Sequence, residues 1–220
     1  MNKLFLAFCL TLMTSVFAFA QTSSDYKKGE FYIGYSNHQV DTGANSDTGN
    51  AARDFFNDRV GFHGFEVSGV GNIGRYVGLK GDFSGAYRKR DSSFVTGAGT
   101  TLNTVNFRAE NSVYNALGGV QFKDNSTDGR VKPFAHVLGG VGHVRTNITN
   151  VTCSNSAVTV CSGLAQKFSD TGLAGAFGGG LDVKLSDKVD LRAFQVDYNP
   201  IRLNGSINHN ARFGVGLVFK

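Results

Sequence analysis

At 220 residues with a formal net charge of +5, the chain suits one domain with a full core and leaves little room for two. It holds 29 Gly, 19 Phe, 2 Pro and no Trp; helical periodicity is weak and alternation frequent, which points to an all-β sandwich or barrel. No Lys/Arg run exceeds Arg88-Lys89-Arg90, so a nucleic-acid partner is not expected.

The chain opens on a secretory signal. Asn2 and Lys3 form a short basic start, positions 4–17 are apolar, and Ala18-Phe19-Ala20 is a small-x-small site, which predicts cleavage after Ala20. The apolar run is shorter than the roughly 20 residues a spanning helix needs, which disfavours a membrane anchor. Cys9 lies inside that run and Gln21 leads the mature chain, so lipid attachment is not expected. Export removes Lys3 and no acid, leaving +4.

Residues 21–29 read as a short periplasmic lead-in, and 30–220 as one barrel domain. The first strand is expected at 30–40, followed by a polar stretch over 41–58. A second strand over 60–70 and a short link, 71–75, lead to a third at 76–87. The polar stretch 88–104 precedes a fourth strand at 107–123, and the brief link 124–129 a fifth at 131–144. The longest connection, 145–170, carries Cys153 and Cys161. A sixth strand at 171–185 turns through Ser186-Asp187-Lys188 into a seventh at 189–198. A medium loop, 199–208, leads to the last strand, 209–220. Long and short connections alternate, as in membrane barrels with short periplasmic turns and longer external loops. The expected fold is an eight-stranded antiparallel up-and-down transmembrane β-barrel.

Which side chains share a face decides between a soluble barrel and a membrane one. In the last strand Phe213, Val215, Leu217 and Phe219 alternate with Arg212, Gly214, Gly216 and Val218; in the third, Val77, Leu79, Phe83 and Tyr87 alternate with Gly78, Lys80, Asp82 and Ser84. In the sixth, Leu173, Phe177, Leu181 and Val183 oppose Gly178, Gly180, Asp182 and Lys184. Small and charged residues suit the limited interior of a narrow barrel, and large apolar ones suit lipid.

The interior face then carries Glu66, Asp82, Asp182 and Asp190 against Lys80, Lys184, Arg192 and Arg212. A turn centred on Ile73 sets Glu66 opposite Lys80, and a three-residue turn at Ser186 sets Lys184 opposite Asp190 and Asp182 opposite Arg192. Four acids balance four bases, which favours a neutralised network, since an unpaired buried charge costs several kcal/mol. Such a network either plugs the lumen or conducts through it; an eight-stranded interior is just wide enough for side chains to fill, which favours the plug. In the seventh strand Asp190 and Arg192 share one parity while Gln195 and Asp197 share the other, so a β-bulge is expected near 193–195. The fifth strand, with His136 and His143, reads in either phase.

Arg212, Gly214, Leu217 and Phe219 resemble the polar-x-Gly-x-x-apolar-x-aromatic signal read by the bacterial barrel-assembly machinery, with Lys220 following the aromatic residue. The whole mature chain is similar to the OmpA-type transmembrane domain and its small outer-membrane relatives. The stretches Ala116-Leu117-Gly118-Gly119-Val120-Gln121, Val131-Lys132-Pro133-Phe134 and Gly139-Gly140-Val141-Gly142 resemble segments of that superfamily. The last hairpin resembles barrels of acidobacterial-type genomes. The resemblance implies the fold, the outer-membrane location, a lipid environment and assembly by that machinery. It implies no activity.

An even cysteine pair, Cys153 and Cys161, in an oxidising compartment is expected to form a disulfide. None of His38, His63, His136, His143 or His209 has a serine two residues on, the pairing that lipid A deacylase-type barrels use. No catalytic residue, cofactor or metal is expected. Two functions remain: a structural and surface-interaction barrel meeting extracellular ligands through its loops, or a narrow channel or transporter for small solutes.

Overall fold

Alternation of bulky apolar with small or polar side chains builds eight strands: β1 (Gly29–Asp41), β2 (Arg59–Asn72), β3 (Val77–Thr96), β4 (Asn103–Lys123), β5 (Val131–Cys153), β6 (Lys167–Lys184), β7 (Val189–Leu203) and β8 (Ser206–Phe219). Each pairs antiparallel with its neighbours in chain order, and β8 closes on β1 through pairs from Phe31–Phe219 to Gln39–Ala211. The computed structural model describes residues 26–43, 47–96, 103–126, 129–154 and 165–220. The signal segment 1–20 and Cys161 lie outside them. One short helix, α1 (Ala51–Asn57), sits in the β1–β2 connection, its first turn capped by Asn50, whose side chain accepts from the Arg53 N–H.

Three connections differ from expectation. The polar stretches 88–104 and 145–170 are in good part strand, since β3 runs to Thr96, β4 begins at Asn103 and β5 reaches Cys153. Polarity does not end a strand whose neighbour continues beside it. Here cross-strand ion pairs continue the ladder, Lys89–Glu110 at 2.9 Å and Arg108–Asp91 at 2.8 Å. The expected loop over 199–208 is instead a tight hairpin. Leu203 pairs with Ser206, and Asn204 and Gly205 turn between them at φ 47° and 86°, the two positive angles a two-residue hairpin turn requires.

The β2–β3 hairpin corrects a further expectation. Its pairs run Asn72–Gly78, Val70–Lys80, Ser68–Asp82 and Glu66–Ser84, so the turn is centred on Arg75 rather than Ile73. The N–H groups of Ile73 and Gly74 both donate to Val77 O, which widens the link. Glu66 therefore does not sit opposite Lys80. The displacement is an even number of residues, so both still face inward. The bulge in β7 falls between Arg192 and Gln195.

Outward side chains are large and apolar, with Leu79, Leu173 and Phe177 all exposed. Toward the long-loop end this surface is ringed by Tyr35, Tyr87, Tyr114 and Tyr198 with His63, His143 and His209. Tyr35 hydrogen-bonds His63, Tyr198 Oη lies 2.5 Å from His209 Nδ1, and Tyr87 meets Tyr114 edge to face. Amphipathic rings bordering an apolar band are what a lipid-facing belt presents. His143 thus faces outward and His136 inward, which settles the phase of β5.

At the short-turn end the lead-in crosses from β1 to the β4–β5 turn. Tyr26 bridges to Ser126, Lys27 N–H donates to Asn125 O at 3.2 Å, and Asn72 Nδ2 donates to Lys27 O at 2.8 Å. In the same turn Asp124 accepts from Arg75 Nε at 3.2 Å and from the Ser126 N–H at 3.0 Å, and these donors, Arg75 first, hold its carboxyl down at about 2. A depressed carboxyl stabilises the fold above its unfolded value of about 4, and that stability is lost as pH falls toward 2. Asp124→Asn should accordingly cost under about 1 kcal/mol at neutral pH, discounted for solvent screening. The gap to the parent should close by about pH 2 in equilibrium unfolding in detergent; a gap that stays constant with pH would rule out this ionic contribution.

Candidate functional site

The period of two turns one side chain in every pair into the barrel, and the glycines among them make room for the others. A Cβ on Gly34 would fall 2.2 Å from Tyr32 Oη and 2.4 Å from Val215 O, so glycine there lets the Tyr32 ring lie along the lumen. Arg192 uses that ring. Its guanidinium lies 4.3 Å from the Tyr32 centroid and 4.0 Å from that of Phe134, between two aromatic faces.

From Arg192 a chain of polar contacts runs both ways. Toward the short turns, Arg192 Nε and Nη2 grip Asp182 at 2.9 and 3.2 Å, Lys123 Nζ donates to Asp182 at 2.8 Å, and the same amine holds Glu30 at 2.8 Å. Toward mid-barrel, Arg192 Nη1 donates to Gln195 Oε1 at 2.7 Å, and Gln195 Nε2 donates to Glu66 at 2.9 Å and Asp197 at 2.8 Å. Arg212 then joins Asp197, at 2.7 Å from Nη2, to Asp82, at 2.7 Å from Nη1. Lys80 sits among Glu66 at 3.9 Å, Asp82 at 3.7 Å and His136 at 3.4 Å, and His136 Nε2 lies 2.9 Å from Asp197. Nearly all of these side chains are fully buried.

Of the eight interior charges expected from sequence, Glu66, Lys80, Asp82, Asp182, Arg192 and Arg212 meet in this chain. Asp190 and Lys184 do not join it. They pair in backbone register, but Lys184 Nζ turns to Asp187 at 2.7 Å on the rim, and Asp190 takes Lys220 at 2.6 Å. Lys184 ends its strand where water is close, so its amine has no reason to turn inward. The inward charges beyond those eight are Glu30, Lys123, Lys132, Asp197 and Lys220, of which Asp197 follows from the bulge expected near 193–195. Counted over the described residues, buried acids and bases are six each. Parity with Gln121 and Asn115 was a usable signal for Lys123.

The other half of the lumen is different in kind. Phe62, Ala86, Val113, Leu117, Leu138, Ala174, Ala176 and Ile201 form one buried apolar cluster toward the long-loop end. Asn115 and Asn199, joined at 3.1 Å, lie at its border with the charges. Among the described residues no three His, Cys, Asp or Glu side chains converge to hold a metal.

In β8 Arg212 and Gly214 point inward while Leu217 and Phe219 face outward, on the strand that closes the barrel against β1. Cys153 ends β5.

A family model described as "Outer membrane protein beta-barrel domain" matches residues 6–219. No curated protein matches. Among solved structures, the chain is similar to Ail, the attachment invasion locus protein of Yersinia pestis, crystallised with the heparin analogue sucrose octasulfate. Identity is 18%, coverage 88% of this chain and 99% of that one, and TM-score 0.51. It is also similar to Neisserial surface protein A, at 10% identity, 90% and 99% coverage and TM-score 0.50. At such identities the likeness concerns the fold.

Proposed function

The chain belongs to the outer membrane protein beta-barrel domain family and resides in the outer membrane; on that premise we propose that it is a closed, non-conducting barrel acting through its extracellular surface. The observation that carries this reading is the filled lumen. Six acids and six bases occupy the periplasmic half, and an apolar cluster fills the extracellular half. These side chains crowd the space a hydrated ion would need, since an eight-stranded interior is just wide enough for side chains to fill. The lead-in strapped across the periplasmic end adds cover there.

With transport set aside, what the family member offers its surroundings is the sheet that β3, β4 and β5 raise beyond the membrane, with the connection carrying α1. A ligand-binding role for that surface is supported by the Yersinia neighbour having been solved with a heparin analogue. The charged lumen is a structural element in this reading, and no catalytic chemistry is assigned to it. Export through a signal cleaved after Ala20, insertion by the barrel-assembly machinery through Arg212, Gly214, Leu217 and Phe219, and a Cys153–Cys161 disulfide belong to the same proposal. The disulfide would stabilise the β5–β6 connection by roughly 2–3 kcal/mol.

Planar bilayers test the central point. Purified, refolded protein should give no stable single-channel steps at neutral pH. Reproducible steps of one size would instead establish the narrow channel for small solutes.

A further inference from the structure

Above the aromatic ring, β4 and β5 fall out of step. Arg108 pairs with Thr149 and Asn106 with Thr152, so Phe107 alone faces Asn150 and Val151. Asn150 takes φ 53°, the left-handed conformation that asparagine accepts more readily than most residues. An extra residue of this kind bends its strand and re-aims the side chains around it. The result is a dent of about 290 Å³ in the sheet, lined by Asp91, Ser92, Asn106, Phe107, Arg108 and Asn150 along with Ser93. Across it Arg108 grips Asp91 with Nε at 2.8 Å and Nη2 at 3.2 Å, fixing both planar groups.

We propose that this cleft binds a saccharide, seating one uncharged pyranose ring through its hydroxyl groups. The proposal rests on the surface-interaction reading above and names the partner class for that surface. A sugar ring presents adjacent hydroxyls that each donate and accept. The cleft answers with a carboxylate that only accepts, a guanidinium with N–H groups beyond the two spent on Asp91, and two carboxamides that do both. Arg108 holds the Asp91 carboxyl below its ordinary range, so it remains an acceptor. Phe107 contributes to the lining at the bulge, while its ring packs against Phe94.

Size and charge narrow the ligand. The volume is at the lower edge of small-molecule sites, roughly 300–1,000 Å³, which suits one ring and not a chain of them. Among the described residues Arg108 is the one cation lining the cleft and it is paired with Asp91, while nearby Lys89 is tied to Glu110 at 2.9 Å. A sulfate or phosphate ester would find no uncompensated charge among those described residues. The sugar has two possible sources, the core of the outer leaflet's own glycolipid or a glycan on another cell.

The test uses the full chain folded in a detergent without a sugar headgroup, with saturation-transfer NMR as readout. Methyl glycosides of mannose, galactose and glucose, delipidated lipopolysaccharide core oligosaccharide, a eukaryotic N-glycan and sucrose octasulfate serve as probes. A shallow polar site should bind at least one neutral saccharide with a dissociation constant on the order of millimolar. Asp91→Ala and Asn106→Ala should each weaken it about five- to ten-fold, the loss of one or two hydrogen bonds. Lys89→Gln should leave it unchanged, and all three variants should keep the heat-dependent gel mobility of a folded barrel. A stronger signal from the core oligosaccharide than from the N-glycan would place the source in the protein's own membrane, and the reverse on another cell. No transfer from any neutral saccharide, unaltered binding in both alanine variants, or binding confined to the octasulfate would overturn the proposal. Absent sugar binding with silent bilayers leaves the surface reading intact, whereas channel steps would remove that reading whatever the sugars do.

Discussion

Arg212→Ala should be the most damaging single substitution in the lumen, lowering the unfolding free energy by about 3–5 kcal/mol. Arg212 is fully buried and ties its neighbour strand to the far wall: Nε and Nη2 hold Asp197 on β7, while Nη1 reaches Asp82 on β3. Its removal leaves Asp82, Asp197 and Glu66 with Lys80 as the nearest full cation, at 3.7 Å from Asp82 and 3.9 Å from Glu66. The desolvation already imposed on three carboxylates then goes uncompensated. Arg192→Ala should cost less, because Lys123 remains on Asp182 at 2.8 Å. Arg212→Lys should recover little, since an ammonium cannot fork between two carboxylates on opposite walls. Lys184→Ala, at a half-open rim pair, should stay under about 1 kcal/mol.

The measurement is the urea midpoint of barrels refolded in detergent. That choice matters because Arg212 also opens the proposed assembly signal. In cells a poorly inserted variant and an unstable one look alike, whereas refolding in detergent involves no assembly machinery. An Arg212→Ala midpoint equal to the parent's would show that the network contributes no stability. A normal midpoint combined with failed insertion in cells would assign the residue to assembly alone.

Which charges were legible in the sequence follows from which strands keep one apolar face. In β3, β6 and β8 nearly all large apolar side chains share the outward parity, interrupted only by small residues in β3 and β6, and parity alone puts Lys80, Asp82, Asp182 and Arg212 inside. In β4 and β5 both faces carry apolar residues, because Val113, Leu117 and Leu138 point into the lumen as well. Parity then gives little contrast: Lys132 and His136 go unassigned, and Lys123 is marked only by sharing its face with Asn115 and Gln121. In β7 the bulge breaks the count between Arg192 and Gln195. The sequence carries the conflict and with it the expected bulge, and the register shift there puts Asp197 inside with Asp182 and Arg192. The Glu66–Lys80 contact is a subtler case. The hairpin register excludes the expected backbone pairing, yet Lys80 reaches Glu66 along the lumen because an even displacement keeps both on one face. The apolar cluster was invisible for a simple reason: polar-in, apolar-out is a rule for the average interior, and nothing local marks a dry half.

That dry half is where a non-conducting barrel has its barrier. Charged side chains can exchange partners with a passing ion, since the periplasmic half is threaded by ionic and polar contacts from Glu30 to Asp82. The cluster around Leu138 and Ile201 offers an ion nothing, and both side chains are about 1% exposed. Leu138→Ala should cost about 2–5 kcal/mol, the transfer loss plus the cavity. The double variant with Ile201→Ala should also join the polar half to the extracellular mouth, because Asn115 and Asn199 sit beside the space that opens and give entering water its partners. In planar bilayers this double variant should show small, brief conductance steps, while Arg192→Ala, which loosens only the charged half, stays silent. Steps from Arg192→Ala with none from the double variant would place the barrier in the salt-bridge network instead. Silence from both, with folding verified by gel mobility, would mean that neither half alone holds the barrier.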